Sequence, residues 1–183
     1  MMAVRIIAPP AEMPVSLADA RSHARVNGTD MDSDIEVRVR ALAAEAEHYT
    51  GRVIINRTYR VTLPSFPARI ELPASPVAAV SGIEFVGEDG FSNILDPSAY
   101  VVDDSSEPGY IDPASGVPWP ATQADRSNAV TVTVVCGYGD DESTTPAAFK
   151  GFILAKVKEY FAPAGTPESP HLIHALDSLV LYK

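Results

Sequence analysis

Between Asp30 and Arg52 the apolar residues return on a helical period. Ile35, Val39, Leu42, Ala46 and Tyr49 recur at spacings of four, three, four and three, which lines them along one stripe of an amphipathic helix. Arg38, Arg40, Glu45 and Glu47 fall mainly off that stripe, toward solvent. Asp30, Asp32, Ser33 and Asp34 crowd the start, where side-chain oxygens cap free amides and complement the helix dipole. Gly51 supplies a left-handed stop. The pattern predicts a helix from Ile35 to about Tyr49, with a stripe that needs cover.

The rest of the chain is read against that helix. Residues 1–15 form an extended, proline-punctuated arm. Ser16 with Asp19 resembles a capping box opening a short helix, Leu17 to Val26, which Asn27-Gly28 ends. After Arg52 the period becomes that of strands. RTYRVTLP alternates, and Arg69–Leu72 is a second short strand. VAAVSGIEFVGEDGFSNIL predicts a hairpin about a Glu-Asp-Gly turn. Tyr100–Val102 and Tyr110-Ile111 are short strands around the polar loop DDSSEPG. Trp119 in PASGVPWP folds back as a local anchor, and Ala129–Cys136 is a strand rich in β-branched residues. Helical spacing then returns. Thr145 and Pro146 open a helix carrying Phe149, Phe152, Ile153, Val157, Tyr160 and Phe161. A last short helix from about His171 to Val180 carries Leu172, Ile173, Leu176 and Leu179.

Short helices cannot bury their stripes alone, so the two ends of the chain are expected to meet. The fold class is α+β: a helical bundle formed by the N- and C-terminal helices, with an inserted antiparallel β subdomain. The boundaries are an arm at 1–15, a helical core at 16–52 and 146–183, and the β insertion at 53–140. The helix of 149–161 is expected to cover that of 35–49.

Composition narrows the chemistry. A chain of 183 residues with 46% apolar content buries a real core. The net charge of −10 is uneven: residues 61–140 hold 2 basic and 11 acidic side chains, whereas residues 1–60 balance at 8 and 8. That middle lacks the clustered cations a sequence-independent grip on nucleic acid needs. A helix-hairpin DNA binder is disfavoured by the same balance in residues 1–60. The single cysteine, Cys136, allows no internal disulfide and sits in strand-like VTVVCGY as a small hydrophobe. No apolar run reaches membrane-spanning length, and MMAVRIIAPPAEMP lacks a signal peptide's apolar core, so synthesis in the cytosol is expected.

No motif announces a reaction. Gly137-x-Gly139 is half a dinucleotide fingerprint, without its third glycine and followed by Asp140, Asp141 and Glu142; it reads as a turn. His171, His174 and Asp177 share a helical face, but no second cluster completes a metal set. Asp103, Asp104 and Glu107 lack the alternation and glycine of a calcium loop. No catalytic residue, cofactor or metal is expected. A ligand- or peptide-binding β module, using the aromatic loops around Tyr110 and Trp119, is the alternative, and a hydrolase using unmarked carboxylates is weaker.

Three stretches taken in order resemble one family: SLADARSHARVNGTDMDSDIEVRVRALAAEAEHYTGRVIINRTYRVTL; LDPSAYVVDDSSEPGYI with VPWPATQADRSNAVTVTVVCGYGD; and TPAAFKGFILAKVKEYF with HALDSLVLYK. They resemble the head–tail connector proteins of long-tailed bacteriophages and related gene transfer agents, in the branch with a β insertion between two helical pairs. The likeness runs from about Ser16 to Lys183; the N-terminal arm lies outside it, and Lys183 stands where the family usually ends in Arg. It implies a non-catalytic adaptor in the particle neck. Such an adaptor assembles as a ring, typically of twelve, beneath the portal protein; it extends the DNA channel without sequence-specific binding and carries the next tail component. The family's C-terminal segment engages the portal, which by position implies Leu176, Leu179, Val180, Leu181, Tyr182 and Lys183. Arg38, Arg40, Glu45 and Glu47 become candidates for the subunit–subunit surface.

Overall fold

Four of the five stripe positions, Ile35, Val39, Leu42 and Ala46, are buried where their spacing places them, and Tyr49 is half-buried. In the computed structural model, which describes residues 2–167 and 169–181, α1 (Leu17–Ala24), α2 (Asp32–Thr50) and α3 (Ala147–Tyr160) pack with a 3-10 stretch, Leu172–Leu179. Ile35, Val39, Leu42 and Ala46 of α2 join Phe149, Phe152, Ile153 and Val157 of α3 in one buried cluster, with Val15, Ala20, Ala24 and Leu176. A fully buried Phe or Ile contributes about 1.5–3 kcal/mol, so this cluster dominates the unit's stability. The chain divides into two compact units. One holds residues 10–55 and 138–183, the other residues 1–9 and 56–137.

The ends of the helices differ from their sequence signals. Ser16 caps α1 as expected, its Oγ accepting from Asp19 N–H at 3.0 Å. Arg25, at φ 56°, closes α1 before the Asn-Gly pair is reached. Asp32 makes no cap for α2; it pairs bidentately with Arg21, at 2.5 and 2.7 Å, tying α2's start to α1. Thr145 gives no side-chain cap to α3; it is buried, and its Oγ1 has no hydrogen-bond partner among the described residues. The fifth buried position of α2 is Thr50, whose hydroxyl donates to Ala46 O at 2.8 Å. Gly51 ends α2 at φ 74°.

The second unit is strands. Its five-stranded antiparallel sheet runs β1 (Ala3–Ala8), β2 (Arg57–Leu63), β8 (Val130–Cys136), β4 (Val77–Val86), β5 (Ser92–Ile94). A three-stranded sheet runs β3 (Ile70–Glu71), β7 (Tyr110–Pro113), β6 (Tyr100–Asp103). β8 is central, and its alternate residues Val130, Val132, Val134 and Cys136 are all buried. The β4–β5 hairpin forms as the turn signal predicts. Residues 1–15, expected as one extended arm, divide: Ala3–Ala8 pairs with β2, while Val15 is buried in the helical cluster. At the end of β8, Gly137 sits at φ 144°, and a Cβ there would meet Asn56 N at 2.6 Å, so only glycine fits.

Candidate functional site

The C-terminal segment expected to contact a partner is held by three hydrogen bonds to the end of α2. Tyr49 Oη donates to Asp177 at 2.5 Å, Arg52 Nε donates to Leu179 O at 2.7 Å, and Leu181 N–H donates to Thr50 O at 2.9 Å. Leu181 also packs against Gly51, 3.6 Å from where a Cβ would stand. Leu176 is fully buried in the helical core, so its side chain is structural. Leu179, Val180 and Leu181 are half-buried. Tyr182 and Lys183 lie outside the described residues. The segment is a 3-10 stretch rather than the α-helix its spacing suggests. His171 and His174 stack at 5.8 Å, and His174 Nδ1 lies 3.4 Å from Asp177. No group of three or more metal-ligating side chains occurs among the described residues.

The four candidate interface charges on α2 separate into two pairs. Arg40 and Glu45 are exposed. Arg38 lies over the Tyr160 ring, 3.6 Å from its centre, and Glu47 Oε1 accepts from Ile54 N–H at 2.8 Å. Beside Arg38, a shallow groove of about 290 Å³ is lined by Met31, Asp34, Val37, Ala41, Tyr160 and Phe161. Val37 is 67% and Tyr160 57% exposed on it. Val37 was legible as an off-stripe apolar residue, yet the stripe alone gave no reason to single it out.

Two carboxylates of the β unit, Asp103 and Asp112, serve local structure. Asp103 accepts from Ser105 Oγ at 2.6 Å and N–H at 2.9 Å, and from Ser106 Oγ at 2.8 Å. Ser105, then Tyr110 and Ser106, hold its carboxyl far below the usual range. Arg69 makes a bidentate pair with Asp112, at 2.6 and 2.8 Å, lowering that carboxyl as well, and lies over the Tyr110 ring at 3.6 Å. The aromatic loop packs inward: Trp119 stacks on Phe66 at 4.8 Å, and Phe66 meets Phe85 edge-on at 5.7 Å. Tyr110 and Trp119 therefore have local partners. Cys136 is buried, and burial pushes its thiol up to about 11, far from a reactive thiolate.

Charge follows the units in a way the linear segments hide. Each unit carries −5. Within the β unit, residues 1–9 and 56–63 hold Arg5, Arg57 and Arg60 and no carboxylate, leaving −8 on residues 64–137. The pairing of β1 with β2, which brings Arg5 opposite Arg60, carries no sequence signal because the partners lie fifty or more residues apart.

No protein-family profile matches the sequence. No curated protein matches it significantly. Solved structures do. A chain in the neck of an empty gene transfer agent particle, determined with C6 symmetry, shares 16% identity at a TM-score of 0.75, covering 99% of this chain and 96% of its own. A chain in the virion of a native gene transfer agent particle gives 17% and 0.73, covering 98% and 96%. One in the neck of the native particle, determined with C12 symmetry, gives 19% and 0.70, covering 100% and 96%. From end to end, this chain has the α+β fold of proteins built into gene transfer agent particles.

Proposed function

We propose that this chain is a structural head–tail connector of a tailed phage or gene transfer agent, working without catalysis or cofactor. Copies assemble as a ring beneath the portal, extend the DNA channel and offer a platform to the next tail component. The observation that carries this reading is the likeness, over essentially the whole chain, to chains of neck assemblies with sixfold and twelvefold symmetry. In this reading the helices from the two ends of the chain form one bundle and the strands are an insertion into it. The chain is made in the host cytoplasm and works in the particle neck. The −8 carried by residues 64–137 suits a surface past which DNA slides without adhering. Arg40 and Glu45 belong to the subunit contact, and Leu179–Lys183 to the portal contact.

The test is to mix the purified chain with its cognate portal protein and image the product by electron microscopy. A ring seated on the portal is expected. No association, together with saturable binding of a small ligand or peptide, overturns the reading in favour of a β binding module. Because Leu176 is in the core, the truncation that isolates portal docking begins at Val180. It should abolish docking and leave the circular dichroism spectrum unchanged; docking that survives it removes the C-terminal anchor.

A further inference from the structure

The five-stranded sheet ends in two open edges of opposite charge, each exposing apolar side chains. Among the described residues β1 is paired on one side only, and all six of its residues are exposed, Val4 and Ile6 by 44% and 46%. An apolar edge strand is a template for another strand; proteins blunt such edges with lysine, proline or a bulge. A bulge follows Ile6, but the strand has no lysine and no proline. Arg5 stands directly opposite Arg60, an unfavourable like-charge pair, and neither has an ion-pair partner among the described residues. At the other edge, Phe91 and Ile94 are 72% and 79% exposed. Residues 77–94 carry Glu84, Glu88 and Asp89, all exposed, and no cation.

The register puts these groups on one face. Ala3 is opposite Thr62, Thr62 opposite Thr131, Thr131 opposite Glu84, and Glu84 opposite Ile94. Arg5 is two residues from Ala3, and strand side chains alternate between faces, so Arg5 and Arg60 share a face with Glu84 and Ile94. We propose that β1 of one copy docks edge to edge on β5 of a second copy. The sheet then continues from subunit to subunit, and the arginines meet the acidic end of the next sheet. β5 has only three residues, so the apolar contacts of Phe91 and Ile94 and the charge match supply much of the specificity. The two surfaces differ, so the contact is head-to-tail and repeats, and a closed ring leaves no free edge. The proposal deepens the connector reading by naming a strand contact between ring subunits beside that of Arg40 and Glu45, and it rests on that reading for ring closure.

Thiol cross-linking of the full chain tests it. Ala3→Cys and Ser92→Cys mark the two edges at small exposed positions, and native Cys136 is buried and silent. With a short bis-maleimide, a mixture of the two single variants should give mixed dimers, and the double variant a ladder. Cross-linking is run on the concentrated protein alone and on portal-bound rings. A ladder from the portal-bound rings supports the contact. Rings on the portal without a ladder overturn it and leave the connector reading standing. A ladder in solution with no ring on any portal keeps the contact and removes that reading. No ladder in either sample, or cross-links from β1 to the portal alone, overturn the proposal. Arg5→Glu with Arg60→Glu should cut cross-linking about tenfold, and adding Glu84→Arg and Glu88→Arg should restore it. A yield indifferent to both reversals removes the charge match.

Discussion

The helical unit closes on itself, whereas the strand unit leaves its sheet open at both ends. In the first, the stripe of α2 is covered by α3 and Leu176, and the C-terminal segment is fastened by Tyr49, Thr50 and Arg52. In the second, β8 is sealed by neighbours on both sides, but among the described residues β1 and β5 have neighbours on one side only. The units carry the same net charge, yet only the strand unit sorts it from one edge of a sheet to the other. A unit that covers its own stripe, as the helical one does beside the open groove at Val37 and Tyr160, specifies a shape. One that leaves complementary edges unsatisfied also specifies a neighbour.

Core truncations challenge this contrast most strongly. Phe149→Ala should cost about 3–5 kcal/mol and Ile83→Ala about 2–5 kcal/mol, because each leaves a cavity at a fully buried site. Hydrogen exchange should show Phe149→Ala loosening residues 10–55 and 138–181, and Ile83→Ala loosening residues 2–9 and 56–137. Loss of protection in both units from either variant would mean that they unfold together. Arg52→Ala comes next, at about 1.5–3 kcal/mol, since it removes a charged donor from a partly buried carbonyl. Its signature is faster exchange at Leu181 N–H with α2 intact; an unchanged Leu181 would mean that Arg52 does not fasten the segment.

Acid gives the smallest and most local effect. The carboxyls of Asp103 and Asp112 titrate lower in the folded chain than when unfolded. Their contribution is therefore present above the unfolded carboxylate value near 3.9 and is lost as pH falls below it toward the folded values. Amides of residues 103–106 should lose protection on acidification, and Asp103→Asn should remove that dependence. A carboxyl NMR titration that places Asp103 at an ordinary value would refute the account.

The helical stripe was legible because five apolar residues at spacings of four and three have one structural solution. The strands after Arg52 were legible for a similar reason, through β-branched runs and the Glu-Asp-Gly turn. The caps were less so: Asp32 and Thr145 carry the right side chains, but Asp32 found a stronger partner in Arg21, and Thr145 was buried. Distant pairing is the larger gap. AVRIIA has no alternation, and nothing within it announces Arg57–Leu63 as its partner. For the same reason Arg38 and Glu47 read as surface charges, when Tyr160 and the Ile54 amide were waiting for them.

The fastening of Leu181 to Thr50 also sets an order of events during synthesis. α1 and α2 leave the ribosome early, but α3, Leu176 and Leu181, which complete their unit, come after every strand of both sheets. Domains generally fold as they emerge. Here the strand unit has all its parts while the first helices still expose their apolar stripe. That interval, rather than the finished fold, is when the stripe of α2 lacks its cover.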